Sequence, residues 1–166
     1  DGHVIEGYAS LFGAFDQGGD VVSKGAYAAS LKAIGAEGRR IKMLWQHDPA
    51  CPIGVWDEVR EDAKGLWVRG RLLPEVAKGR EAVELIAAGA IDGLSIGYRT
   101  VKAAKNGKGQ RLLTELELWE VSLVTFPMLP SARVMAKSDE VTSDAAFALR
   151  EMAAAFRGAR ASLAQR

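Results

Sequence analysis

Residues 112–126 form the longest β-pattern in the chain, and Pro127 and Pro130 end it, because proline fixes φ and lacks the N–H that a ladder needs. Residues 92–101 are a second strand pattern, joined to the first by a lysine-rich loop with the turn signal Asn106-Gly107, so the two predict a hairpin. Upstream, residues 4–12, Val21-Val22 and residues 39–47 read as strands, the last ended at His47 and broken by Pro49 and Pro52. Residues 53–59 and 66–73 predict another hairpin about a polar turn at 61–65, and residues 133–135 a short last strand. Two helices interrupt this series. Ser23 is placed to cap the first, which runs through Tyr27, Leu31 and Ile34 to Gly35; the second is clearest over 80–88, after Pro74 and before Gly89. Strands in succession with only two interposed helices do not make alternating βαβ units. The expected fold is mainly β with helices (α+β), a small closed β-barrel of about seven strands flanked by helices.

In this reading residues 1–137 are one domain, 138–144 a polar linker, and 145–166 an Ala/Arg-rich helical tail with Leu149, Met152 and Phe156 at i, i+3, i+7. The tail either packs back on the domain or a second copy, or acts as a detachable tether. Lys and Arg total 22 against 21 for Asp and Glu, so no basic excess suggests nucleic acid. The single cysteine, Cys51, cannot form an internal disulfide, and no Cys/His cluster has metal-ligand spacing. A reducing compartment and no metal or cofactor are expected. No apolar run is long enough to cross a bilayer and the N-terminus lacks the parts of a secretory signal, so a soluble protein is expected; the absent start methionine suggests a trimmed form.

Gly93-Leu94-Ser95-Ile96-Gly97 matches the G-x-S-x-G pattern of a nucleophile elbow, but the elbow needs a helix after the serine and a histidine later in the chain. Here the strand continues through Tyr98 to Val101, and no histidine follows position 47. What survives is a serine between two glycines on a continuing strand, where Gly93 and Gly97 are expected to clear space for a substrate backbone. Of the two histidines, His3 sits at a fraying end, and His47 closes an apolar strand face. Glu120 is the one charged residue in the run 118–126, with Leu118 and Leu116 as neighbours on its face, while Glu115 and Glu117 alternate to a solvated face. A buried carboxylate without a partner is costly. A histidine or an arginine such as Arg99 would satisfy it. If they converge, Glu120 orients His47, His47 takes the proton from Ser95, and Ser95 attacks a carbonyl.

The blocks Leu44-Trp45-Gln46-His47-Asp48, Gly93 to Tyr98 and Trp119 to Pro127, with an early block from Asp20 to Tyr27, resemble in order and spacing the prohead serine proteases of tailed phages, also found in gene transfer agents. That family is similar in fold to the herpesvirus protease assemblin. The resemblance implies Ser95 as nucleophile, His47 as general base and Glu120 as the third member, His3 being the other histidine available. It implies a serine endopeptidase that cleaves the scaffold protein, or the scaffold domain of the major capsid protein, with autoprocessing. The setting would be the immature capsid in the bacterial host cytoplasm, and a homodimer is expected, as in assemblin relatives. The loop Pro127-Met128-Leu129-Pro130-Ser131 departs from the family's usual Asn-Pro; it, or Arg99, is the candidate oxyanion-stabilising element. Two other readings are an inactive, scaffold-binding capsid-assembly module and a barrel whose polar pairs are purely structural.

Overall fold

The computed structural model describes residues 3–135; the expected linker at 138–144 and tail at 145–166 lie outside the described residues. In chain order the elements are β1 (Val4–Leu11), β2 (Asp20–Val22), α1 (Ala28–Ala36), β3 (Lys42–Trp45), β4 (Asp48–Glu61), β5 (Gly65–Leu72), α2 (Ala77–Ala87), β6 (Gly93–Lys105), β7 (Arg111–Val124) and β8 (Val134–Met135). The longest β-pattern of the sequence becomes the hub, because both edges of β7 are paired. One edge carries β6 along its length, antiparallel; the other carries β2 at Arg111 to Leu113 and β3 at Glu120 to Leu123, both parallel. From β3 the sheet continues antiparallel through β4, β5, β1 and β8. Leu94 N–H then donates to Ala132 O and Val134 N–H to Asp92 O, each at 2.8 Å, which joins the last strand back to β6. The sheet is thereby curled into a circuit, with β2 added outside it on β7.

Inside the circuit lie Met43, Ile53, Leu66, Val68, Leu94, Leu113, Leu116, Leu118, Val121 and Leu123, each almost wholly buried. Burial of such side chains is the main favourable term, roughly 1.5–3 kcal/mol apiece against the exposed state. The helix α1 packs on β7 with Ile34 buried, and the Ser30 hydroxyl accepts the Leu118 N–H at 2.9 Å.

Three local expectations are corrected. Ser23 does not cap α1: Gly25 takes a left-handed φ of 88°, the chain turns, and the helix starts only at Ala28. The donors ahead of it are met from far away, by Glu61 at the end of β4, whose carboxylate accepts from the N–H groups of Gly25 and Tyr27. The third strand stops at Trp45 rather than at His47, and Pro49 and Pro52 belong to β4 instead of breaking the chain there. The β3–β4 ladder shifts register on both sides of Leu44, and such irregular pairing tolerates residues without a donor.

Candidate active site

The face on which Ser95 stands is fixed by the β6–β7 register. Gly93, Ser95 and Gly97 pair with Val124, Ser122 and Glu120, while Leu94 and Ile96 pair with Leu123 and Val121 on the core side. Beyond Gly97 the register shifts, so that Tyr98 pairs with Leu118 and Trp119 is left as the extra residue of a bulge. A bulge changes which face the following residues take. Leu116 and Leu118 therefore face the core on one side of it and Val121 and Leu123 on the other. Glu120 does not share a face with Leu116 and Leu118, as simple alternation predicts; it is turned to the side of Ser122 and Ser95.

His47 arrives from a two-residue hairpin loop. Trp45 pairs with Asp48, and the loop residues Gln46 and His47 have φ of 52° and 61°, as a type I′ turn requires at both positions. Glycine and asparagine are the usual occupants, and other residues in this region cost of order 1–3 kcal/mol each. Surrounding bonds hold them there. Gln46 N–H donates to Leu123 O at 3.0 Å, its side-chain amide donates to Thr125 Oγ1 at 2.7 Å, and His47 N–H donates to Ser122 Oγ at 3.1 Å.

From this turn the imidazole spans the two strands. His47 Nε2 lies 2.9 Å from Ser95 Oγ and Nδ1 lies 2.5 Å from Glu120 Oε1. A carboxylate can only accept, so the proton sits on Nδ1 and Nε2 is left to accept from the Ser95 hydroxyl. The second carboxylate oxygen, Oε2, accepts from Ser122 Oγ at 2.6 Å. Ser95, Glu120 and Ser122 are buried, whereas 42% of the His47 side chain remains exposed. The hydrogen bond that His47 Nδ1–H donates to the Glu120 carboxylate holds the imidazole pKa above its ordinary value, against the opposing pull of burial.

The two glycines have a different task from the one their pattern suggests. A Cβ on Gly97 would lie 2.0 Å from Glu120 Oε1, and one on Gly93 would lie 2.5 Å from Val124 O and 2.8 Å from Pro127 Cδ. Gly97 makes room for the carboxylate and Gly93 for the neighbouring strand and the loop after it, not for a substrate. Arg99 is paired with Glu117 on the exposed side of the hairpin, and Glu115 with Lys102; Arg99 is thus neither the partner of Glu120 nor close to Ser95 Oγ through any bond. His3 lines a separate cavity with Leu72 and Pro74. Ser122 and Gln46 were not singled out by the sequence, since their roles depend on the register and on an αL turn that carries no Asn-Gly signal. Among the described residues there is no cluster of three or more His, Cys, Asp or Glu fit for a metal, and no helix long and apolar enough to cross a membrane.

The chain is similar to known proteins in sequence and in fold. The prohead protease of Enterobacteria phage HK97 is 32% identical over 136 residues, which cover 80% of this chain and 59% of that protein, so the chain corresponds to under two thirds of that relative. In structure, the capsid assembly protease of bacteriophage T4 superposes with a TM-score of 0.62 at 18% identity, covering 75% of this chain and 82% of that one. The KSHV protease, solved with a hexapeptide phosphonate inhibitor, does so with a TM-score of 0.52 at 11% identity over 86% and 69%. The caudovirus prohead serine protease family model matches residues 1–145, and the chain belongs to that family.

Proposed function

We propose that this protein is a serine endopeptidase of phage capsid maturation in which Ser95 is the nucleophile, His47 the general base and Glu120 the group that orients it. The observation that carries the reading is the continuous hydrogen-bonded line from Glu120 Oε1 through the imidazole to Ser95 Oγ. Such a line matches the nucleophile, base and orienting roles of a serine relay. Ser95 Oγ attacks the scissile carbonyl while Nε2 takes its proton; the tetrahedral intermediate collapses as Nε2 returns that proton to the leaving amine. Water, activated by the same nitrogen, then releases the acyl group and restores the serine. The oxyanion needs preorganised donors. Met128 and Leu129, which line the same cavity as Ser95, have main-chain N–H groups that donate to no protein acceptor among the described residues, and we assign the oxyanion to them.

The substrate in this reading is the scaffold protein or scaffold domain of the major capsid protein, cut inside the immature capsid, with autoprocessing of the protease itself. Incubation with the cognate capsid or scaffold protein tests it. Ser95→Ala and His47→Ala should each lower cleavage by on the order of 10³-fold or more, and undiminished cleavage by either variant sinks the assignment. An inactive assembly module would instead leave Ser95 unlabelled by a fluorophosphonate.

A further inference from the structure

Beside the nucleophile lies a cavity, open to solvent at its mouth, whose lining includes Ser95 itself. Most of its wall is apolar, from Ala9, Leu94, Ile96 and Leu129 among others, and two carboxylates, Asp16 and Asp20, line it together with Tyr98. The charges do not cancel. Asp20 is committed: it receives Arg111 at 3.0 Å and the Tyr98 hydroxyl at 3.3 Å, and is buried. Arg111 spends its other nitrogen on Thr100. Asp16 uses Oδ1 to accept the N–H groups of Gly18 and Asp20, both at 2.9 Å, while its Oδ2 has no partner among the described residues. One guanidinium therefore faces two carboxylates, and the carboxylate left over lines the same space as the nucleophile. Burial first, then the nearby charges of Asp20 and Asp16, push the Tyr98 phenol up to about 12. The loop that carries Asp16 is tied to the other wall by Gln17 N–H donating to Met128 O at 2.9 Å, so the cavity has fixed sides.

Resting on the peptidase reading above, we infer that this cavity is the primary specificity subsite and selects a lysine or arginine on the acyl side of the scissile bond. The apolar wall suits the methylene stem and the carboxylate end the cationic head, the division of labour long basic side chains adopt elsewhere. Asp16 is the specificity-determining residue, and Tyr98 with Asp20 and Arg111 holds the floor in place.

The test uses three peptidyl diphenyl phosphonates that differ only in the side chain next to phosphorus: lysine, norleucine and glutamate analogues. In each, Ser95 Oγ bonds to phosphorus, phenoxide leaves and His47 takes the hydroxyl proton, so the labelling rate reads subsite fit at the reacting serine. The lysine analogue should label about tenfold faster than the norleucine analogue, the scale of one charge-assisted hydrogen bond, and the glutamate analogue slowest. Asp16→Asn keeps the Oδ1 acceptor that its turn needs and should bring the lysine-to-norleucine ratio close to one. An equal or faster norleucine rate in the native protein, or an unchanged ratio in Asp16→Asn, overturns the inference. A small fluorophosphonate separates the two failures: if it labels Ser95 while lysine has no advantage, the subsite inference alone falls; if nothing labels Ser95, the peptidase reading falls with it.

Discussion

Ser122 joins two parts of the site with one hydroxyl and faces a third across the ladder. It donates to Glu120 Oε2, accepts the His47 N–H, and sits directly across the ladder from Ser95. Removing it leaves a buried carboxylate oxygen and a strained N–H unpaired, which costs roughly 1–3 kcal/mol. Ser122→Ala should therefore lower kcat about 10- to 100-fold with KM little changed, as steady-state kinetics on a peptide substrate would show. In the proposed relay Glu120 also sets the pH response. Because it raises the pKa of His47, and the base works only when neutral, kcat/KM should fall on the acid side with an apparent pKa above the ordinary histidine value of about 6.5. Glu120→Gln should move that limb downward and lower the plateau by roughly 10²–10⁴-fold; an unmoved limb would show that Glu120 does not govern the imidazole. The stability linkage has the same sign: the pairing with protonated His47 is fully present below the unfolded pKa and is lost as pH rises through the raised folded value.

Among the elements, the bulge in β7 and the β3–β4 turn do the positioning. The bulge arises from one extra residue, Trp119, whose side chain is half exposed. Trp119→Ala should leave peptide hydrolysis within about threefold, as exposed substitutions usually do. Deleting Trp119 should remove the bulge while Leu118 stays on the core face opposite Tyr98 and Glu120 stays opposite Gly97 beside Ser95, so fluorophosphonate labelling of Ser95 should persist. Gly97→Ala tests the fit of strand and carboxylate: its methyl would occupy the place of Glu120 Oε1. It should reduce kcat while far-ultraviolet circular dichroism stays native. In the β4–β5 turn, Asp62 Oδ1 accepts the N–H groups of Lys64 and Gly65, and the Tyr8 hydroxyl and Arg60 bind its other oxygen. The Lys64 N–H bond first, then Tyr8, Gly65 and Arg60, hold this carboxyl at about 2. Its contribution to stability is present above the ordinary aspartate value and is lost as pH falls through about 2.

Across the whole molecule, the circuit depends on a two-residue strand. Ala132 is fully buried, and the chain around it supplies both hydrogen bonds that join β8 to β6, next to Ser95. A chain cut after Pro130 should lose these contacts and at least about 2 kcal/mol of unfolding free energy, read by urea titration. The same closure places the loop of Met128 and Leu129 against the Ser95 cavity, so fold stability and site assembly should fail together in the shorter chain.

The strand and helix inventory, the β6–β7 hairpin and the odd polar residues Ser95, His47 and Glu120 were all legible in the amino-acid order, because periodicity and turn chemistry are local properties. Three matters were not. The face of Glu120 depends on a bulge that appears only when two strands are laid in register, and the same register decides that Gly97 yields space to a side chain of its own protein. The left-handed turn at Gln46 and His47 has no local signature, since bonds from Leu123, Thr125 and Ser122 hold it in place. Local order thus named the three groups, and long-range pairing decided how they meet, because the faces of a sheet are set by its neighbours and not by the strand alone.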